Sequence, residues 1–221
     1  RRAPPIDRGT RLRDRQIVRR ALGRRGGEVR LLLASKSAAR HRMLEAADVP
    51  FEAAAGGADE EALKAELSGL DAMILAEALA KAKALAIASD DLVLGADQTL
   101  ERVDGSMLSK PRSRDKAFEQ LRSLSGRTHQ LHSAAAIAER GAIVWTASET
   151  VRLTMRPLTH AFISSYLIAE YEAIRWSVGG YRIEGPGAQL FERIEGSHFA
   201  ILGLPLLPLL AYLRQRGVMA S

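Results

Sequence analysis

The first half of the chain alternates short apolar runs with longer segments that are rich in alanine and leucine. Residues 29–34 and 92–94 are short apolar runs of the kind found in buried strands. Between them, apolar positions at helical spacing predict three helices, at residues 38–47, 58–67 and 70–88. This order of strands and helices is typical of an α/β fold.

The middle of the chain contains three predicted strands in succession, at residues 129–139, 142–146 and 149–155. A turn at Arg140 and Gly141 joins the first two. Because these strands follow the alternating strands and helices of the first half, the pattern predicts a mixed sheet. Three more helices are predicted: one that ends at residue 124, one at residues 159–169, and one at residues 205–216.

The composition fits one compact α/β domain or two tightly joined lobes. The chain has 221 residues, of which 47% are apolar, so it can bury a substantial core. It has no cysteine, which excludes disulfides, thiolate metal sites and a cysteine nucleophile. The absence of cysteine fits a reducing compartment, and we expect a cytoplasmic protein.

The net charge of +6 is concentrated near the amino terminus. Residues 1–30 carry eleven arginines against three acidic residues, whereas the rest of the chain has 21 basic and 23 acidic residues. We therefore predict a basic, disordered tail at residues 1–28 and one domain at residues 29–217. An arginine-rich arm can bind nucleic acid, but a solvated terminus is the simpler interpretation.

No segment of the sequence predicts insertion into a membrane. The tail lacks the apolar core of a secretory signal. The longest apolar run, residues 200–213, is too short to span a bilayer and is interrupted by Pro205 and Pro208.

Several polar residues lie next to predicted strand ends and helix starts, where α/β proteins usually build their sites. Ser37 and Arg40 stand at the start of a predicted helix, where a hydroxyl, backbone N–H groups and a guanidinium can bind phosphate. Asp97 directly follows a buried strand and needs a partner, either a divalent metal or a salt bridge. The structural alternatives are that Ser37 only caps the helix, that Arg40 is an ordinary surface residue, and that Asp97 caps the turn that follows it.

Two lysines and an acidic pair complete the candidates. Lys110 stands before a proline, and Lys83 lies on a predicted helix, where Lys81 competes for the same role. An ammonium group at either position can neutralise a phosphate oxygen. Asp59 and Glu60 offer the hard oxygen ligands that suit Mg²⁺ or Mn²⁺. The structural alternatives are that the lysines are simply exposed and that Asp59 and Glu60 lie at a solvated helix start.

The histidines do not form a predicted metal site. His129 and His132 are three residues apart on a predicted strand, so their side chains point to opposite faces. The sequence pattern suggests no partner for His41, His160 or His198.

Taken in order, these residues and their neighbours resemble the Maf family of nucleoside triphosphate pyrophosphatases. Each motif alone is weak, but the series follows the order and spacing of the family from about residue 31 to residue 216. The matching stretches are LLLASKSAARHRML (31–44), ADEE (58–61), LAKAKA (79–84), LVLGADQTL (92–100), SKP (109–111), LSGRTH (124–129), VGGYRIEGPGA (178–188) and EGSHFAILGLPLLPL (195–209).

The resemblance implies a two-lobed Maf/ITPase-like α/β fold, with an elongated mixed sheet flanked by helices, a nucleotide cleft between the lobes, and often a homodimer. It implies hydrolysis of a nucleoside triphosphate to the monophosphate and pyrophosphate with a divalent metal, Mg²⁺ or Mn²⁺. Glu60 and Asp97 would bind the metal or activate water, and we expect the loss of Asp97 to have the largest effect. The implied triphosphate-binding residues are Ser37, Arg40, Lys83 and Lys110.

Two positions bear on the choice of base. Gln98 stands where the pyrimidine-selective branch tends to carry Thr, and Glu184 where that branch tends to carry Gln, so the chain is closer to the branch that acts on 7-methyl-GTP. A carboxylate only accepts hydrogen bonds, and the Watson–Crick edge of guanine offers N–H donors. Gln98 and Glu184 are therefore predicted to bind substrate, with Glu184 favouring a guanine-type base. A salt bridge from Glu184 to Arg182 or Arg193 is the alternative.

One further departure concerns phosphate binding. The family usually has Ser-Pro-Arg-Arg where this chain has Ser-Ala-Ala-Arg at residues 37–40. One basic group is therefore missing, and Lys36 or Arg42 would have to replace it.

Two other functions are compatible with the sequence. A non-catalytic cell-division regulator or a nucleic-acid binder would use the arginine-rich tail. A non-catalytic relative would have lost the acids and lysines of the implied site, and these are all present. We expect no nucleic-acid partner, because a solvated terminus is the simpler interpretation of the tail. A different metal-dependent phosphohydrolase would release orthophosphate instead of pyrophosphate.

Overall fold

The structure, a computed structural model, describes residues 29–54, 60–67 and 69–220, so the tail at residues 1–28 and Asp59 lie outside the described residues. The strands are β1 (Leu31–Leu33), β2 (Glu52–Ala53), β3 (Leu92–Arg102), β4 (Met107–Leu108), β5 (Thr128–Glu139), β6 (Ala142–Met155) and β7 (Phe191–Glu195). The helices are α1 (Ala38–Ala46), α2 (Glu60–Glu66), α3 (Ala72–Leu85), α4 (Arg114–Leu124), α5 (His160–Ile174), α6 (His198–Ile201) and α7 (Leu206–Gln215), with short 3₁₀ segments at Val178–Gly180 and Pro186–Leu190. Within the described ranges, none of the helices is long and apolar enough to cross a membrane.

The seven strands form one mixed sheet, as the sequence pattern predicts. Its order is β2-β1-β3-β5-β6-β7, and the short strand β4 pairs with β3 beyond the end of β1. β1 runs parallel to both of its neighbours, whereas the other pairings are antiparallel. The prediction of an α/β fold with a mixed sheet flanked by helices is therefore confirmed.

One part of the strand prediction is wrong. Residues 142–146 and 149–155 belong to the single 14-residue strand β6. Ala147 and Ser148, which the sequence pattern places between two strands, pair in register with alanines of β5. Alanine and serine have low strand propensity, but pairing with the long strand β5 keeps both residues in the strand.

Two apolar cores lie along the same face of the sheet, and they define the two lobes. Alternation along β3 puts Leu94 and Ala96 in the first core, with α1 and α7, and Leu100 in the second core, with α4 and α5. Gln98, which lies between them on this face, is polar. The boundary between the two cores is therefore the place where a polar cleft can form.

Helix α3 covers the opposite face of the sheet through small side chains. Ala80 and Ala84 lie in an alanine-rich layer with residues of β3 and β5. Gly95 of β3 makes the closest approach, because a Cβ atom there would overlap the Ala80 carbonyl oxygen and the Ala84 nitrogen. This close packing brings Lys83, which lies on α3, to the side of β3.

The buried His129 makes the stability of the fold depend on pH. Its Nε2 lies 2.7 Å from the Tyr181 hydroxyl inside the second core, and burial lowers the pKa of His129 from 6.5 to about 4. The unfolded chain therefore binds this proton at a higher pH than the folded chain does, so stability falls as the pH decreases from about 6.5 to about 4. At about 1.4 kcal/mol per pH unit, this one group accounts for about 3 kcal/mol of unfolding free energy.

The measurement is denaturant unfolding of wild type and His129→Gln at neutral and acidic pH. We expect the variant to lose less free energy on acidification than the wild type does. His160→Gln, a change of an exposed histidine, should lose as much as the wild type. Equal acid sensitivity in all three proteins would contradict this assignment.

Candidate functional site

Asp97 lies at an open stretch along one edge of β3. On this edge, β3 pairs with β1 at residues 92–94 and with β4 at residues 100–101. The intervening residues 95–99 have no strand partner on that side within the described part of the chain. β1 ends at the same gap, and the carboxyl ends of parallel strands are where α/β sheets usually bind ligands.

A network of ion pairs joins Asp97 to two helices. Lys83 Nζ, from α3, lies 2.5 Å from Asp97 Oδ1 and 2.8 Å from Glu60 Oε2 of α2. The sequence left open whether Asp97 meets a salt bridge or a metal. The structure shows the salt bridge, which uses one of the two oxygens of Asp97.

The second carboxylate oxygen of Asp97 is free to meet a ligand. Asp97 is only 4% exposed, and its Oδ2 has no hydrogen-bond partner among the residues that the structure describes. Leaving a buried carboxylate oxygen unpaired costs free energy, so such an atom indicates a partner that binds there. Water, a metal ion or a substrate group would each serve.

Three lysines surround Glu60. Besides Lys83, Lys64 Nζ lies 2.6 Å and Lys110 Nζ 3.8 Å from Glu60 Oε1. Burial by itself raises the pKa of Glu60, but the hydrogen bonds from Lys64 and Lys83 and the charges of Lys83 and Lys110 outweigh burial and hold the pKa well below its usual value. Glu60 is therefore ionised at neutral pH.

Ser37 and Arg40 reach the cleft from the start of α1, and both also have structural roles. Ser37 caps the helix, because its Oγ accepts a hydrogen bond from the Arg40 nitrogen at 3.5 Å. Arg40 is 8% exposed, and its Nε donates to the Gly203 carbonyl oxygen at 2.8 Å. Burial lowers the pKa of Arg40, and the charges of Asp97 and Glu60 oppose this effect. The guanidinium stays protonated and is oriented before any ligand binds.

Basic groups outnumber acidic ones in the cleft between the lobes. The cleft has an inner part around Asp97 and Gln98 and an outer part over the start of α1. Such a surface favours a polyanion such as a triphosphate. Its charged lining, among the described residues, consists of Lys36, Arg40, Arg42, Lys64, Lys83, Lys110 and Arg182, and of Glu60, Asp97 and Glu184.

The inner part of the cleft also has apolar walls. Leu131, Ile183 and Ile201 contribute to them, and Trp176 lies at the cleft with 71% of its surface exposed. Apolar walls with a few polar groups are typical of sites that bind an organic ring. The cleft therefore offers surfaces for both a charged and an apolar portion of one ligand.

Gln98 lines the cleft, but the fold already uses its amide nitrogen. Gln98 Nε2 donates to the Ala200 carbonyl oxygen at 2.9 Å and lies 2.9 Å from Ser133 Oγ. These contacts tie α6 to the sheet at the boundary between the two cores. A direct contact with substrate would therefore involve the amide oxygen of Gln98.

Glu184 also lines the cleft, and its partner differs from the two that the sequence suggested. Glu184 Oε1 lies 3.3 Å from an Arg42 nitrogen. Arg182 pairs with Glu170, and Arg193 pairs with Glu195. The Arg42 contact joins the two sides of the cleft mouth.

Lys64, Arg182 and Trp176 are among the lining residues that were not singled out from the sequence. Lys64 could have been noticed, because it follows Glu60 by four residues on a predicted helix. Arg182 lies inside the matching stretch at residues 178–188, where it was considered only as a salt-bridge partner. No sequence pattern marked Trp176.

Two carboxylates among the described residues could contribute to a metal site. None of their His, Cys, Asp and Glu side chains form a group of three or more that could hold an ion. Glu60 and Asp97 nevertheless provide two carboxylates on either side of Lys83, and Asp97 Oδ2 lacks a partner. Mg²⁺ is often bound by one or two carboxylates together with substrate phosphates, so the donor set fits such an ion.

The mixed sheet and its basic cleft are typical of α/β proteins that bind phosphorylated ligands. A family model described as Maf-like protein matches residues 30–216. The chain belongs to this family.

The relatives of the chain include two named pyrophosphatases, and one solved structure has a more distant likeness. A nucleoside triphosphate pyrophosphatase of Sphingopyxis alaskensis is 48% identical over 85% of this chain and 98% of its own length. A 7-methyl-GTP pyrophosphatase of Rhizobium meliloti is 47% identical over 85% of this chain and 96% of its own length. A HAM1 protein from Coxiella burnetii aligns over 57% of this chain and 73% of that chain with a TM-score of 0.38 and 15% identity, which is too distant to support an argument.

Proposed function

We propose that this chain hydrolyses a nucleoside triphosphate between the α- and β-phosphates, releasing a nucleoside monophosphate and pyrophosphate. The observation that carries the proposal is the Asp97 carboxylate, which is buried in a basic cleft with one oxygen unpaired among the described residues. The names of the relatives from Sphingopyxis alaskensis and Rhizobium meliloti support the same reaction.

The triphosphate would bind to the basic groups at the open edge of β3. Lys83 and Lys110 already lie near Glu60, so they can neutralise phosphoryl oxygens without large rearrangement. Arg40 adds a guanidinium that is fixed to the Gly203 carbonyl oxygen. Ser37 adds a hydroxyl at the start of α1, where helix N–H groups favour anions.

Asp97 would act on the attacking water. Lys83 holds Asp97 Oδ1, so Oδ2 can orient a water molecule toward the α-phosphorus and accept its proton. The attack needs a water in line with the leaving pyrophosphate, and positioning of this kind accounts for most of the catalysis in phosphoryl transfer. The surrounding lysines stabilise the negative charge that develops on the leaving group.

Glu60 and Asp97 are the residues that would hold a divalent cation, Mg²⁺ or Mn²⁺. Such an ion would neutralise charge on the phosphoryl oxygens and stabilise the pyrophosphate leaving group.

We assign a guanine-type base, including 7-methylguanine, to the substrate because of Glu184. Its carboxylate lines the cleft and can only accept hydrogen bonds, which matches the N–H donors of guanine. Methylation at N7 gives the base a positive charge, and a carboxylate attracts this charge whereas the amide of glutamine does not. The 7-methyl-GTP pyrophosphatase of Rhizobium meliloti supports the same choice.

The first experiment is product identification with the full chain, Mg²⁺ or Mn²⁺, and a panel of nucleoside triphosphates. Pyrophosphate and a monophosphate are expected, and chelation of the ion should abolish their formation. Release of orthophosphate would identify a different phosphohydrolase. No turnover of any nucleotide by folded protein would reject the proposal.

Glu184→Gln tests the base assignment. We expect the kcat/KM ratio of 7-methyl-GTP to UTP to fall about tenfold or more, because the glutamine amide loses the charge and gains a donor that suits uracil. GTP and dTTP complete the comparison. Glu192→Gln, which changes an exposed glutamate outside the cleft lining, is the matched control. Unchanged relative rates would remove Glu184 from base recognition.

A further inference from the structure

We propose that Arg182 and Glu184 together recognise the Watson–Crick edge of a guanine-type base. Arg182 donates a hydrogen bond to O6, and Glu184 accepts hydrogen bonds from N1–H and the 2-amino group. The inference rests on the proposed function and extends it by assigning O6 recognition to Arg182. It also assigns to Glu170 the role of a positioning residue that orients Arg182.

Arg182 is held by a buried carboxylate. Its Nε donates to Glu170 Oε2 at 2.9 Å, and Glu170, on α5, is 8% exposed. A buried carboxylate is costly unless it is paired. The Arg182 side chain remains about one-third exposed and lines both parts of the cleft, so the guanidinium is anchored at Nε and still reaches the cleft.

The turn that follows Arg182 is packed around it. A Cβ atom at Gly185 would lie 3.2 Å from Arg182 Nε, and one at Gly187 would collide with the Arg182 carbonyl oxygen. Because neither glycine has a side chain, atoms of Arg182 can occupy the space where a Cβ atom would lie. This packing limits the positions that the guanidinium can adopt.

Arg182 and Glu184 alternate with two residues of the second core. Tyr181 is buried in that core, and Ile183 packs against it. Arg182 and Glu184 both line the inner part of the cleft together with Ile183. A base that enters this part of the cleft would meet a cationic donor and an anionic acceptor two residues apart in the sequence.

The two side chains match the hydrogen-bonding edge of guanine. A guanidinium only donates and a carboxylate only accepts. Guanine presents the O6 acceptor next to two donors, N1–H and the 2-amino group. With uracil, the second carboxylate oxygen would face the O2 acceptor, and with adenine both side chains would face groups of the wrong kind. The pair therefore selects guanine-type bases.

A phosphate is a poorer ligand for Arg182 than a base edge. Two of the cations assigned to the triphosphate, Lys83 and Lys110, lie around Glu60. Arg182 pairs with a different acid, Glu170. A phosphate bound to Arg182 would also lie near the Glu184 carboxylate, which would repel it.

The test measures equilibrium binding of three nucleoside monophosphates to the full chain, so it needs no hydrolysis. The probes are GMP, inosine monophosphate, which lacks the 2-amino group, and 2-aminopurine riboside monophosphate, which lacks O6 and, with it, the hydrogen on N1. Wild type should bind GMP about tenfold or more tightly than the 2-aminopurine nucleotide, because in the latter Arg182 loses its acceptor and Glu184 loses the N1–H donor. Arg182→Met should reduce this preference to the part that Glu184 supplies through N1–H, and it should leave the preference for GMP over inosine monophosphate.

Three further variants separate the roles. Arg182→Lys keeps the charge but loses the planar fork, so it should weaken discrimination at O6 while preserving any general attraction to phosphate. Glu170→Gln should reduce the preference for GMP over the 2-aminopurine nucleotide in folded protein. Arg193→Met, a change of an arginine paired with Glu195 and outside the cleft lining, should change nothing.

Two results would overturn the inference. One is equal weakening of all three nucleotides by Arg182→Met, which would indicate phosphate binding. The other is the absence of a preference for GMP over the 2-aminopurine nucleotide in wild type. Failure of the proposed hydrolysis is a separate result, since it would be seen as missing pyrophosphate and would leave the binding comparison intact.

Discussion

Asp97→Asn is expected to lower kcat for pyrophosphate release by at least about a hundredfold. Asparagine has nearly the same shape and still offers Oδ1 to Lys83, but it places an amide where the carboxylate would orient water and accept its proton. General base catalysis commonly contributes about 10²- to 10⁴-fold. Lys83 also retains Glu60 as a partner at 2.8 Å, so the variant should fold. The measurement is kcat at saturating nucleotide, with circular dichroism to confirm the fold.

The matched control is Asp91→Asn. Asp91 follows α3, pairs with Arg30 at 2.8 Å and does not line the cleft. Its loss should leave kcat unchanged. If Asp97→Asn keeps more than about half of the wild-type kcat, Asp97 does not act on the attacking water, and the mechanism proposed for this site is wrong.

Gly95→Ala is expected to cost about 3 kcal/mol of unfolding free energy, near the upper end for an overpacked core. The added Cβ would overlap the Ala80 carbonyl oxygen and the Ala84 nitrogen, which are backbone atoms of α3 and cannot rotate away. For a chain of this length, the change corresponds to a decrease of about 6–12 °C in Tm. Since Lys83 precedes Ala84, displacement of α3 should also separate Lys83 from Asp97 and lower activity.

Gly105→Ala separates packing from backbone strain. Gly105 has a φ of 78°, and a Cβ atom there would have no neighbour within 4 Å, so alanine meets strain but no collision. This strain costs about 1–2 kcal/mol. If Gly95→Ala lowers Tm no more than Gly105→Ala does, the close approach of α3 to β3 is not what requires glycine at residue 95.

The fold class follows from local patterns, but the extent of the strands does not. The runs at residues 29–34 and 92–94 predict two buried strands, which are β1 and β3, and the pattern at residues 129–155 predicts successive strands in a mixed sheet. The pattern stops at residue 94, whereas β3 continues to Arg102. Pairing with β5 over the whole of this length supplies the hydrogen bonds that the sequence pattern does not reveal.

In the candidate site, too, the sequence predicted some features and only the tertiary structure showed the others. The order of the motifs identified the family and singled out Glu60, Lys83 and Asp97 before any contact was known. No spacing along the chain indicated that Lys83 pairs with both acids, because these residues lie on three separate elements. Arg182 was missed as a cleft residue for a similar reason, since its anchor Glu170 lies on α5.

The sequence by itself therefore determined the kind of chemistry, through the types and order of its polar residues at strand ends and helix starts. Only the tertiary structure decided which of these groups meet, because contacts between distant segments depend on sheet order and helix packing. It also decided which oxygen of Asp97 is left without a partner in the described chain, and how the glycine at residue 95 lets α3 bring Lys83 to that carboxylate. These distances and burial fix the charges on which the proposed reaction depends.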